Sequence, residues 1–325
     1  MRTAMELRPY RRVSSQVTSP ALIINRWSGD GKAERYGLEA AARRRGIRTI
    51  MLEPGDDLVT LARGAIADGA DAIGMAGGDG SLGLVAGVAL EEDVPFFCVP
   101  VGTRNHFALD LGLDRDDPLT SLEALADGEE LLIDVGMAND RLFLNNASFG
   151  VYAQAVHREG YRGDKEATIA AVVGDAAGNP EGQAAIRYTT PDGASHHRAP
   201  LILVSNNPYV MSGPPDYGRR IRMDAGRLGV RTVTSLAAAD DVTAALLLRS
   251  SYEWTTTDLV LESDEPILAG VDGEALVFES PLALTIRTGL RVLVPAGTLP
   301  GYLPAAGIPA AQVKDLIGLG GEVDL

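Results

Sequence analysis

Four short stretches of the chain concentrate residues whose types and spacing could do chemistry. The first, "MAGGDGSLGLV" (75–85), sets three glycines around Asp79 directly after an apolar run and before a helix-like one. Glycines let a backbone turn tightly and bring its N–H groups close to an anion, and a helix start adds its positive end. Gly77, Gly78, Gly80 and Ser81 are therefore candidate phosphate ligands. Asp79 would repel a phosphate, so its chemistry would be to hold Mg²⁺ or accept a proton. The plain alternative is a strand-to-helix turn with its cap.

The second stretch, "PVGTRNHFALDLG" (100–112), follows the next apolar run, with Gly102 for close approach and Thr103 and Asn105 as neutral donors. A helix start capped by Asn105 explains it equally well. The third, "NRWSGDGK" (25–32), offers Asn25, Ser28 and Gly29 as a small anion nest with Lys32 nearby, or simply a turn. It lacks the Gly-Lys-Ser/Thr of a Walker loop. The fourth, "AGVDGEALVF" (269–278), reads as a hairpin turning at Asp272-Gly273. The turn does not account for Glu274, an acid entering an apolar strand, where a carboxylate can act as general base.

The elements that must position these residues follow from the apolar pattern. Strands at 21–25, 49–52, 72–76 and 96–101 alternate with helical stretches at 32–45, 57–68 and 81–91. Strands without internal alternation, separated by helices, imply a parallel sheet covered on both faces, whose ligands gather beyond the strands' carboxyl ends. Three of the four stretches sit at such ends. From residue 131 the texture becomes β-rich and antiparallel, with two strands joined at Asn139-Asp140, a helical run over 151–178, later short strands and a helix near 239–250. The expected organisation is a disordered leader (1–19), an α/β nucleotide-type domain (20–130), a β-rich second domain (131–295) and a tail with a short helix near 309–317, the site lying between the domains.

Charge and composition exclude several classes. Forty-four acidic against 29 basic residues give a net charge of −15, which argues against nucleic acid as partner and gives no general attraction to anionic membranes. One cysteine, Cys98, excludes an internal disulfide and fits a reducing cytoplasm. No stretch approaches the roughly 18 apolar residues of a membrane span. His157, His196 and His197 are expected on surfaces, without metal-ligand spacing, and no serine sits in a Gly-x-Ser-x-Gly turn.

The four stretches in this order resemble the diacylglycerol kinase catalytic-domain family, which also contains sphingosine and ceramide kinases. That family carries Asn-Pro-x-Ser-Gly, Gly-Gly-Asp-Gly-Thr, Pro-x-Gly-Thr-x-Asn-Asp-Phe-Ala and a late Asp-Gly-Glu; here these are "NRWSG", "GGDGS", "PVGTRNHFA" and "VDGE". Further matches are "IDVGMANDRLFLNNASFG", "LILVSNNPYVMSG" and "DAGRLGVRTV", so the resemblance covers about residues 20–295. It implies an α/β domain followed by a β-rich domain, and ATP held by the 25–29 loop, the 77–81 loop and Thr103. It implies Glu274 as the base that deprotonates an acceptor hydroxyl, and Asp79 and Asp134 near Mg²⁺. The implied partner is a lipid alcohol reached by transient contact with a membrane surface; a homodimer is left open.

There are departures. Arg26 replaces the family's Pro, Ser81 its Thr, and His106 an Asp of the metal-organising group, while Ala225 stands where many bacterial members have an Asp before Gly226. Two other readings stay open: a soluble-substrate kinase of the NAD kinase or phosphofructokinase type, which share the GGDG loop, and a degenerate nucleotide-binding protein without transfer activity.

Overall fold

The computed structural model describes residues 17–159, 185–210, 222–233 and 251–298, with a few isolated positions besides (12–13, 161, 168, 171–172, 175, 219–220 and 301). The helices expected near 239–250 and 309–317 lie outside the described residues, as does most of the run beyond the helix Val151–His157. Of the expected disordered leader, Arg12–Val13 pairs as a short strand with Glu129–Ala138, and Thr18 and Ser19 donate hydrogen bonds to Asp71.

The first sheet has a parallel core in the order Phe96–Pro100, Ala72–Gly77, Pro20–Ile24, Arg48–Met51. The first three strands are buried at every position, as unbroken apolar runs covered on both faces must be. Helices supply the cover. The expected helix 32–45 is two pieces, Lys32–Arg35 and Leu38–Arg44, because Gly37 turns left-handed (φ +59) between them. The helix Leu58–Ala67 starts at Asp57, whose carboxylate accepts the Thr60 N–H at 2.6 Å.

Two long strands, Glu129–Ala138 and Leu282–Val294, complete this sheet as an antiparallel ribbon that joins Phe96–Pro100 through the parallel pair Val292–Phe96. The ribbon serves two cores. Leu131, Ile133, Val135, Leu290 and Val292 pack in the first, whereas Ala138, Leu282 and Leu284 pack in the second. Its register shifts at Gly289 (φ +110), a bulge that bends the strand from one core to the other. The boundary drawn from texture at residue 130 thus falls at the start of a shared ribbon. The second sheet is wholly antiparallel, in the order Ser251–Thr256, Leu228–Val233, Leu201–Asn206, Asn146–Gly150, Ile267–Val271, Glu274–Phe278.

The segment 131–150 forms three strands, not two. Glu129–Ala138 turns at Asn139 (φ +49) into Arg141–Phe143, and after Leu144 and Asn145 the chain enters Asn146–Gly150 in the other sheet. This crossover matters for the site.

Candidate functional site

Three loops meet at the carboxyl ends of Pro20–Ile24, Ala72–Gly77 and Phe96–Pro100. They are knitted by glycine contacts and backbone hydrogen bonds. A Cβ on Gly29 (φ +56) would collide with the Val101 carbonyl, and one on Gly102 would sit 2.5 Å from the Gly78 Cα. Gly102 N–H donates to Gly77 O (3.1 Å) and to Asn105 Oδ1 (3.0 Å), and Asn105 Nδ2 donates back to Gly102 O (2.7 Å). Asn105 is buried and left-handed (φ +55). Its amide closes the loop and makes no cap hydrogen bond to the helix that follows.

The helix after Gly78 begins at Asp79, two residues earlier than expected, and runs to Glu91. Asp79 therefore occupies the first turn, where a negative charge is favoured. Its Oδ2 accepts the His106 N–H and its Oδ1 the Phe107 N–H, both at 3.1 Å, so it fastens the start of the helix His106–Asp110.

Gly78 differs from its neighbours. Gly77 is fixed by packing, since a Cβ there would meet Met75 Cε at 2.8 Å and Ser81 Cβ at 3.1 Å. Gly80 faces Glu274, whose Oε1 would lie 2.8 Å from an added Cβ. A Cβ on Gly78 would touch nothing closer than 3.8 Å, and its φ of −93° suits any residue. Neither strain nor packing calls for glycine at 78. The missing side chain leaves open space in front of the loop, which fits a phosphate against the backbone.

The fourth stretch arrives from the second sheet. Ile267–Val271 and Glu274–Phe278 pair as the expected hairpin, turning through Asp272 (φ +49) and Gly273 (φ +84). Glu274 is thereby set against Gly80, and Asp272 Oδ2 stands 3.5 Å from where a Gly83 Cβ would be. The Asp272 carboxylate accepts three backbone N–H groups, Leu144 (2.7 Å), Asn145 (2.8 Å) and Asn146 (3.0 Å). Burial nevertheless pushes its pKa up to about 6, and the nearby Asp79 charge adds to the rise. His157, expected on a surface, is half-buried: its Nε2 lies 3.1 Å from both the Ala269 and Leu276 carbonyls of this hairpin. His196 is also half-buried, stacked on Tyr188, and of these three histidines His197 alone is exposed.

Behind the site lies a buried polar network absent from the sequence reading. Arg220 is fully buried, with Nε on Asp110 Oδ2 (2.7 Å), one terminal nitrogen on the Leu144 and Asn206 carbonyls (2.5 and 3.1 Å) and the other on Asn145 Oδ1 (3.2 Å). Burial raises the Asp110 pKa, with Arg220 opposing. Asn206 Nδ2 donates to the Asp134 and Leu144 carbonyls. The signal in the sequence is the pair of Asn-Asn dipeptides, 145–146 and 206–207, at the ends of apolar strands.

The remaining candidates are placed as follows. Asn25 Oδ1 accepts the Trp27 N–H (3.1 Å), Thr103 is exposed, and Ser28 and Ser81 are half-buried, Ser81 beside Gly77. Lys32 Nζ reaches the Arg115 carbonyl. Asp134 is buried, its Oδ2 accepting the Gly226 N–H at 2.6 Å, while the Ala225 N–H donates to Asn207 Oδ1 at 2.7 Å. Among the described residues no three His, Cys, Asp or Glu side chains come together as a metal cluster, and no helix is long and apolar enough to cross a membrane. Asp79 at the glycine loop would suit Mg²⁺, which keeps waters and is bound largely through phosphates.

Glycine loops at the carboxyl edge of a parallel α/β sheet thus face an acid carried by an antiparallel sheet. The comparisons bear out the resemblance to the diacylglycerol kinase catalytic-domain family. Residues 19–138 match the model of the diacylglycerol kinase catalytic domain. A diacylglycerol kinase of Mycobacterium tuberculosis is 32% identical over 122 residues, 36% of this chain and 40% of that protein. One from Bacillus subtilis is 39% identical over 82 residues, 25% of this chain and 27% of that protein. The chain thus aligns with less than half the length of these curated relatives. A crystal structure of a diacylglycerol kinase from Bacillus anthracis Sterne superposes with a TM-score of 0.61 at 17% identity, covering 88% of this chain and all of that one (100%). A second crystal structure from that organism gives a TM-score of 0.67 at 20% identity, over 88% and 98% of the two chains. These two show the shared fold.

Proposed function

We propose that the protein transfers the γ-phosphoryl group of ATP, with Mg²⁺, to the hydroxyl of a diacylglycerol-like or sphingoid lipid. The observation that carries this reading is Glu274 against Gly80: a carboxylate from one lobe stands at the phosphate loop of the other. The open space at Gly78 would take the phosphates, with backbone N–H groups and the start of the helix Asp79–Glu91 facing them. Asn25, Ser28, Gly29 and Thr103 border the same loop cluster. Asp79 would hold the cation, its two oxygens each already anchored by one backbone N–H and each keeping a further lone pair. Mg²⁺ bound there would neutralise charge developing on the transferred group. Asp134 would act from behind, steadying the 223–226 loop.

Glu274 would accept the proton of the attacking hydroxyl. Asp272 and the 144–146 backbone fix the hairpin that carries it. The apolar acceptor and the absence of a membrane-spanning helix among the described residues are compatible with transient contact at a lipid surface. The test is phosphorylation of diacylglycerol and sphingosine in mixed micelles with labelled ATP, with NAD and fructose 6-phosphate as competitors for the assignment. Glu274→Gln should keep ATP affinity and lose turnover on the order of 10²–10⁴-fold. Label transferred only to NAD or the sugar phosphate would replace the lipid reading with the soluble-substrate one.

A further inference from the structure

We propose that Arg220 is a positioning residue for phosphoryl transfer: a buried circuit runs from the glycine loop through the helix His106–Asp110 and Arg220 to the hairpin bearing Glu274, and sets that carboxylate against the loop. The role in transfer rests on the reading of Glu274 as the base; the circuit itself rests on geometry. Asp79 in the glycine loop holds the first two N–H groups of the helix His106–Asp110. Asp110, the last residue of that helix and 4% exposed, takes the Arg220 Nε. The Arg220 fork then grips the crossover on its acceptor side, at the Leu144 carbonyl and the Asn145 amide oxygen. The same crossover is gripped on its donor side by Asp272, which takes the N–H groups of 144, 145 and 146. Asp272 is two residues from Glu274, and Glu274 returns to Gly80 beside Asp79.

A guanidinium with 0% exposure is a costly way to fill space, because an apolar pair of similar volume often holds a core as well. What Arg supplies and an apolar side chain cannot is a planar fork that fixes several acceptors at set angles. Reaction geometry is sensitive to such control, since a displacement of about 1 Å can lower a rate on the order of 100-fold.

The experiment compares wild type with the double variant Arg220→Met/Asp110→Leu, which removes both charges together and leaves neither buried alone. If the circuit positions Glu274, the double variant keeps the ATP KM within about two-fold while kcat falls roughly 10–100-fold. Hydrogen exchange, read without substrate, should quicken at the amides of 106–107 and 144–146 by at least about tenfold, with Ala72–Gly77 unmoved. Wild-type kcat and wild-type exchange in the double variant would overturn the proposal. Should that variant not fold, Arg220→Lys keeps charge and loses the fork, and it is expected to show the same kcat loss at unchanged KM; wild-type kcat there overturns it. A wild-type protein that phosphorylates no lipid overturns the transfer role, and the exchange result then decides the circuit alone.

Discussion

The glycine loops and the crossover at 144–146 are built on opposite plans. In the loops, side chains are withheld, and at Gly78 the space in front of the backbone is left open by the protein itself. In the crossover, charged and amide side chains are buried and matched: Asp272, Arg220 and Asn206 divide its N–H and carbonyl groups among them. The first region leaves room in front of its backbone; the second is filled by the chain. An open polar surface can be legible from a few adjacent residues, whereas a completed network draws its partners from wherever the fold brings them.

The contrast breaks most visibly where one charge of the network is deleted. Asp110→Leu alone leaves the Arg220 guanidinium buried without its carboxylate, which should cost about 3–5 kcal/mol of folding stability. Denaturant unfolding measures it. A loss under about 1 kcal/mol would mean that water or rearrangement satisfies Arg220, and that the region is not closed in the sense argued.

Asp272 gives the next largest effect. Its carboxyl is pushed up from 3.8 to about 6, so the folded protein binds this proton more tightly than the unfolded chain does. The corresponding stability is fully present below about pH 4 and is lost as pH rises through about 6, a change of roughly 3 kcal/mol. Most carboxylates act in the opposite sense. Asp272→Asn cannot titrate, so wild-type stability minus variant stability should fall by that amount between pH 4 and pH 7. A flat difference would show that the three N–H donors cancel burial, and a rising one that they outweigh it.

The loops offer a paired test within a single motif. Gly78→Val should leave the melting temperature near wild type and weaken ATP binding on the order of 100-fold, about 2.8 kcal/mol of excluded contact. Gly102→Ala should do the reverse, because its Cβ would press on the Gly78 Cα at 2.5 Å; overpacking of this kind costs about 1–3 kcal/mol. If both variants lose stability alike, Gly78 is a packing glycine and the loop is as closed as the crossover.

How much of this was legible follows the same division. The parallel strands were readable because burial on both faces writes an uninterrupted apolar run, as in "ALII" and "FFCV". The Asp272-Gly273 hairpin was readable because its backbone demands those residue types locally. The helix start was misplaced from Asp79 to Ser81, since a glycine-rich first turn carries no helical pattern. Arg220 was invisible because its partners stand 14 to 110 positions away in the sequence. His157 was missed because two backbone carbonyls leave no trace in side-chain spacing.

The smallest expected effect concerns His106, where the loop region departs from the family text. Its backbone N–H binds Asp79 while its side chain is exposed at the first turn of the helix His106–Asp110. A carboxylate there would stand near Asp79 and near a helix N-terminus, where negative charge is favoured by a few tenths to about 1 kcal/mol. His106→Asp should therefore leave stability almost unchanged and lower the Mg²⁺ concentration for half-maximal ATP turnover by a few-fold. A protonated imidazole at 106 would put a cation beside the position proposed for Mg²⁺ and oppose the metal. The acid limb of the wild-type pH profile should consequently soften in the variant. Removing Mg²⁺ with a chelator should abolish turnover in both proteins, which ties the readout to the metal rather than to the helix. If neither the Mg²⁺ titration nor the acid limb moves, position 106 contributes only its backbone N–H, and the open region ends at Asp79.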